Sequence, residues 1–179
     1  MKYFTPELIA AYGSDDPATW GEATVRWDTA CEQYNTALST LKPSFPPGLR
    51  RIEESYSLHD AVIRSMGRRA GALVIVLQLD PPPQHLLTLT YDLVEEPIIR
   101  RDVLPTDYRS TGDHIDWQYD EIEKASEQPL TWRQLVLLSN GWELVLHFRD
   151  IRVEEIQALI PLPRESASVL TTASISQSV

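Results

Sequence analysis

A chain of 179 residues, 42% hydrophobic and 23% charged, is long and apolar enough to bury its own core and does not read as a disordered polypeptide. Its formal net charge of -10 repels nucleic acid and anionic lipid, so neither is an expected partner, and a basic protein is the partner that the field favours. One cysteine, Cys31, allows no internal disulfide, no apolar run reaches about 18 residues, and Met1-Lys2-Tyr3-Phe4-Thr5-Pro6 lacks the apolar core of a signal peptide; the expected location is the cytoplasm.

Thr5-Pro6-Glu7 opens a short helix: threonine caps, proline fits the first turn and glutamate suits the positive helix end. Gly13 stops it near Tyr12, and Asp15-Asp16-Pro17 repeats the start signal. Trp20, Thr24, Trp27, Cys31, Tyr34, Leu38 and Leu41 then alternate spacings of four and three, the stripe of a long amphipathic helix that Pro43 ends. On that stripe Trp20 and Trp27 read as core, and Cys31 reads as a small buried residue rather than a nucleophile. Residues 49–56 read as a further helical turn.

From Ser57 the period changes to that of strands. Residues 57–66 are a predicted strand, 68–71 a turn, and 72–79 an apolar, β-branched central strand. Residues 86–94 alternate apolar and polar side chains, 98–102 are a short strand, and 105–113 are a polar loop. Residues 115–122 are another strand, closed by the break at Gln128-Pro129. Residues 131–138 and 142–148 flank Ser139-Asn140-Gly141, and Asn-Gly between apolar runs is the strongest short hairpin signal in the chain. On the second of these strands Trp142, Leu144, Leu146 and Phe148 share a core face. Residues 150–160 are a last strand or short helix.

The predicted fold class is α+β, with N-terminal helices packed on a mainly antiparallel meander sheet of five or six strands. Residues 1–48 form the helical region, 49–163 the β-rich region of the same domain, and 164–179, rich in Ser, Thr and Ala, a disordered tail.

Chemistry-bearing residues are few. Leu58-His59-Asp60-Ala61 holds an adjacent His and Asp; on a strand these point to opposite faces, whereas at a helix-to-strand junction Asp60 caps and His59 bonds to a loop. His114 and Asp116, two apart, share a strand face, with Asp120, Glu121, His147 and Asp150 as further candidate ligands, but no spacing repeats and no metal or other cofactor is expected. The stretch 113–127 carries six carboxylates against Lys124 alone, interleaved with Trp117 and Tyr119. That pattern is either a solvated strand edge or a surface that recognises a basic partner. The candidate binding residues are therefore Asp116, Trp117, Tyr119, Asp120, Glu121, His59 and Asp60. The phosphate-loop, dinucleotide, zinc-protease, C-x-x-C and G-x-S-x-G signatures are all missing, so no catalytic residue is assigned.

The Met1-Lys2-Tyr3-Phe4-Thr5 opening, Ser57-Leu58-His59-Asp60-Ala61, Trp117-x-Tyr119-Asp120-Glu121-Ile122 and Leu137-Leu138-Ser139-Asn140-Gly141-Trp142-Glu143-Leu144 together resemble an uncharacterised bacterial family of small cytoplasmic proteins. The Leu-His-Asp-Ala meander is similar to part of the immunity proteins of bacterial polymorphic toxin systems. The resemblance implies a bacterial source and an α+β domain, and it carries no catalytic residues.

Three functions are expectations at this point. The first is a non-enzymatic protein-binding domain, with an immunity-like inhibitor as one form of it. The second is a small-molecule or metal-dependent enzyme using His59, Asp60, His114 and Asp116. The third is a self-associating structural domain.

Overall fold

The computed structural model describes residues 1–79, 85–109 and 112–157. Three helices come first: α1 (Pro6–Tyr12), α2 (Pro17–Leu41) and α3 (Pro47–Ser55). Thr5 Oγ1 caps α1 by accepting from Leu8 N at 3.3 Å, and Asp16 Oδ2 caps α2 by accepting from Thr19 N at 2.9 Å. Pro43 ends α2 in a single 3-10 turn over Lys42–Ser44, and α3 is a full nine-residue helix, longer than the predicted turn. Among the described residues no helix is long and apolar enough to cross a membrane.

Seven strands follow: β1 (Ala61–Arg69), β2 (Ala72–Gln78), β3 (His85–Leu93), β4 (Ile98–Arg100), β5 (Asp116–Glu127), β6 (Leu130–Leu138) and β7 (Glu143–Gln157). The class is α+β and every pairing is antiparallel, with one or two strands more than predicted. The strands form two meanders, β1-β2-β3 and β5-β6-β7. Their outer strands also pair, β3 with β7 and β1 with β5, so the order β1-β2-β3-β7-β6-β5 closes on itself. The β1–β5 seam is short, Ala61 opposite Trp117 and Val62 opposite Asp116. Register shifts at Ile63/Ser65, Tyr91/Leu93 and Trp117/Tyr119 supply the bends that closure needs.

The predicted last element at 150–160 is not separate as far as the described residues reach. It continues β7, whose first half pairs with β6 and whose second half pairs with β3. Where β7 leaves β6, α3 covers the vacated edge. Gly48 N donates to Asp150 Oδ1 at 3.2 Å, and Arg51 Nη1 donates to the Val153 carbonyl at 2.9 Å. Leu49 and Ile52 of α3 are buried in the main core. The α2 helix closes the other gap: beyond the short β1 seam, the Ile122 N–H of β5 donates to Tyr34 Oη at 2.9 Å. A buried edge needs such partners, because an unpaired backbone N–H is costly.

Inside the ring, Leu73, Ile75, Leu77, Leu87, Leu89, Tyr91, Trp117, Trp132, Leu146 and Phe148 form the main core. A second cluster of Phe4, Leu8 and Ala30, with Trp27 and Tyr34 against it, joins α1 and α2 to the outer side of β5. Trp20 corrects the predicted stripe. It is 49% exposed, and the buried positions of α2 are Ala23, Ala30 and Leu38. At about 1.5 Å per residue the 25-residue helix spans about 37 Å, and its buried positions begin at Ala23.

The two hairpin turns differ in kind from each other. Ser139-Asn140-Gly141 does join β6 to β7, but only Gly141 has positive φ, at 79°. Leu138 exchanges its backbone with two residues, Gly141 N donating to its carbonyl at 2.9 Å and its own N–H donating to Trp142 O at 2.8 Å. That is the three-residue loop with a glycine bulge, not the two-residue turn. Two consecutive positive-φ residues occur instead at Ala70 and Gly71, between β1 and β2. The expected disordered tail at 164–179 lies outside the described residues.

Candidate functional site

The fold brings several of the candidate residues to one place, the β1–β5 seam. After α3, Leu58 is buried and anchors the chain. His59 and Asp60 then turn it into β1: Asp60 adopts φ 62°, which Asp tolerates better than most residues, and its N–H donates to Trp117 O at 2.8 Å. The two residues do lie at a helix-to-strand junction, but Asp60 caps no helix, since α3 ends at Ser55 with Tyr56 as its C-cap, and His59 bonds to a carbonyl of β5 rather than to a loop. The exposed His59 ring lies over Tyr119 at 5.0 Å between centroids and 27° between planes. Its Nδ1–H donates to the Gln118 carbonyl, which the bulge at Trp117/Tyr119 leaves unpaired with β6, and its Nε2 stands 3.7 Å from Asp60 Oδ2.

Asp116 lies on the other side of the seam. Its backbone is fixed by Ser139, whose Oγ accepts from Asp116 N at 2.8 Å and whose N–H donates to Asp116 O at 2.9 Å. Its half-buried carboxylate faces His114 Nε2 at 3.5 Å. Burial raises its pKa, the His114 charge opposes that shift, and the Asp60 charge adds to it. The Asp60 and Asp116 carboxylates thus share one field. Gln118 Oε1 is shielded from solvent and has no hydrogen-bond donor among the described residues, and Asp116 Oδ1, equally shielded, has only the ion-pair contact with His114 Nε2 at 3.5 Å.

The remaining candidates serve the interior. Trp117 is fully buried and its Nε1 donates to Asp120 Oδ1 at 3.0 Å. Asp120 Oδ2 accepts from Gln134 Nε2 at 2.7 Å, and Gln134 Oε1 accepts from Tyr91 Oη at 2.9 Å. Burial raises the Asp120 pKa, and the bonds from Trp117 and Gln134 hold the shift down. Glu53 of α3 shares this region: burial, then the Asp120 charge, push its pKa up to about 7 against the pull of Lys42, 3.9 Å away. Glu121 turns outward and is also buried. Its Oε1 accepts from Tyr3 N at 2.8 Å and Phe4 N at 2.7 Å, and its Oε2 accepts from Lys2 N at 2.7 Å. Trp117 and Glu121 thus have no free surface to offer, and Asp120 is half-buried with both carboxylate oxygens already bonded.

β5 is not a solvated edge: β6 runs along one side, and β1, His59 and Tyr34 occupy the other. His147 pairs with Glu95 Oε1 at 2.7 Å, apart from the seam cluster. Among the described residues no three of His, Cys, Asp and Glu are grouped as a metal would require. Cys31 is half-buried, and its pKa is raised by burial and then by Asp28, the opposite of what an activated thiol needs. Gln118 and Ser139 are seam residues that sequence reasoning missed; Ser139 was visible only as a turn residue.

The arrangement is an acceptor-rich, anionic patch beside a flat imidazole face. Chemically it suits a cationic donor, because a guanidinium or ammonium satisfies bare acceptors and the carboxylate charge together. No protein-family model, curated protein or solved structure matches this chain.

Proposed function

We propose that this chain is a non-enzymatic protein-binding domain, a bacterial cytoplasmic inhibitor of the immunity type, that receives a basic side chain of its partner at the β1–β5 seam. The observation that carries this reading is the half-buried Asp116 carboxylate in the field of Asp60, two residues from Gln118, whose shielded Oε1 has no hydrogen-bond donor among the described residues. A buried acceptor left without a donor costs about 1–3 kcal/mol, and an incoming arginine supplies that donor together with a charge opposite to the carboxylates. The His59 ring, braced by Tyr119, gives the guanidinium plane a surface to lie on. A net charge of -10 speeds the encounter with a basic surface.

The test is co-purification of the tagged chain with a basic partner from its native host, compared across variants. Asp60→Lys/Asp116→Lys is expected to lose the partner, and Asp28→Lys, on the exposed side of α2, to keep it. Retention of the partner by the first variant would overturn the reading.

The enzymatic alternative has one observation on its side, the convergence of the His59–Asp60 and His114–Asp116 pairs on the seam. Against it stands His59 Nδ1, which is tied to a backbone carbonyl, while Nε2 faces an exposed carboxylate. A substrate that turns over with the wild type and not with Asp116→Asn would favour this alternative.

A further inference from the structure

We propose that the seam is proton-gated: His59 and His114 hold it as imidazolium counter-ions, and an incoming guanidinium displaces their protons. The partner is then held near neutral pH and released on acidification. This inference rests on the reading of the seam as the place that receives a basic side chain.

His59 stands between two acceptors. Its Nδ1 faces the Gln118 carbonyl, and its Nε2 faces Asp60 Oδ2 at 3.7 Å. A neutral imidazole carries one N–H and serves only one of them, whereas the imidazolium serves both. His114 turns Nε2 to Asp116 Oδ1 at 3.5 Å, again a ring nitrogen against a carboxylate. Each carboxylate of the seam thus has its own histidine, and these same two carboxylates are the groups that an incoming cation needs.

The other titratable groups around the two rings lie on the negative side. Asp60 and Asp116 repel each other across the seam. Asp120, deeper in β5, feels the His59 charge, and Tyr119, on which the His59 ring lies, is in the field of Asp60. Among the described residues no lysine or arginine is ion-paired to Asp60 or Asp116; the histidines are their only cationic partners. Without a guest, the two rings are therefore the groups that carry the neutralising charge.

A guanidinium that arrives at Asp60 takes the place of the His59 charge. Two cations at one carboxylate repel each other, so Nε2 gives its proton to solvent while Nδ1–H stays on the Gln118 carbonyl. The ring left behind is neutral. A guanidinium plane lies on a neutral imidazole, whereas an imidazolium repels it. At Asp116 the exchange is the same, with His114 Nε2 losing its proton to solvent. Because cation binding releases protons, linkage makes the affinity rise with pH. Each histidine that loses its proton changes the affinity by about tenfold between about pH 5.5 and about pH 7.5.

Isothermal titration calorimetry of the full chain with a hexa-arginine peptide at low salt tests this, run between about pH 5.5 and about pH 7.5 in buffers of different ionisation enthalpy. Binding is expected to be at least about tenfold tighter at the upper pH, with protons released to the buffer midway. His114→Gln, which leaves the His59 ring in place, is expected to bind and to lose about half of the logarithmic pH dependence. His59→Gln/His114→Gln is expected to lose nearly all of it, with amide spectra unchanged outside the seam. Wild-type binding that neither varies with pH nor releases protons overturns this proposal and leaves the cation-binding seam standing. No wild-type binding at any pH overturns both. A pH dependence that His114→Gln leaves intact belongs to the carboxylates and overturns the gate.

Discussion

Glu121 Oε1 lies 2.7 Å from Phe4 N, joining residues 117 positions apart in sequence. The same carboxylate takes the N–H groups of Lys2 and Tyr3, so one buried side chain holds three successive backbone donors of the N-terminal segment against β5. Phe4 then packs on Trp27 at 5.1 Å and Tyr34 at 5.6 Å, and the α1–α2 layer is fastened to the sheet. Glu121→Ala strands three donors in a buried place. We expect a loss of about 3 kcal/mol or more, read as a fall in the thermal or urea midpoint, with Glu121→Gln recovering part of it.

Tyr34 Oη replaces a missing strand at the edge of β5 by accepting from Ile122 N. Tyr34→Phe is expected to cost about 1–2 kcal/mol. Hydrogen exchange should show faster exchange of the Ile122 amide while amides in the β5–β6 ladder, such as those opposite Leu135 and Arg133, remain protected.

Gly48 is the point at which α3 meets β7. A Cβ built there would stand 1.4 Å from the Ile151 carbonyl oxygen, a backbone atom that cannot swing away. Gly48→Ala is expected to push α3 off the vacated β7 edge and cost about 3 kcal/mol or more. The check is a chemical denaturation midpoint, together with loss of protection at Val153 and its neighbours.

Glu53 makes stability depend on pH in an unusual direction for a carboxylate. Its folded pKa, near 7, lies above the ordinary carboxyl value of 4.5, so between those values the folded chain binds more protons than the unfolded chain. The contribution is favourable below about 4.5 and is lost as pH rises through about 7. Asp120, also raised, acts in the same sense. Glu53→Gln is expected to flatten the pH profile of the unfolding midpoint across that window. An unchanged slope would show that the burial of Glu53 does not set its titration.

The elements legible in the sequence are those with local causes. Thr5-Pro6 and Asp16-Pro17 mark helix starts because the cap and the first turn use adjacent residues. The hairpin at Asn140-Gly141 was legible as a turn, though its type depends on the register of β6 against β7. Ring closure was not legible, since the pairing of Leu89 with Val153 joins residues with no local signature. The acidic stretch misled for the same reason. Its charges look solvated when read along the chain, but a bulge at Gln118 and the returning N-terminal segment turn Asp120 into a half-buried acceptor and Glu121 into a buried one. His59, Asp60 and Asp116 were found as chemistry-bearing types. Gln118 and Ser139 matter only because the fold sets them beside Asp116 and His59.

The seam is tested most directly by titrating the isotope-labelled chain with a hexa-arginine peptide at low salt and following its amide resonances. Saturable shifts are expected at His59, Asp60, Asp116, Gln118 and Tyr119, with affinity reduced at least about tenfold by Asp116→Asn or Gln118→Leu. Shifts spread evenly over the acidic surface, or binding that both substitutions leave unchanged, would contradict a cation-binding seam.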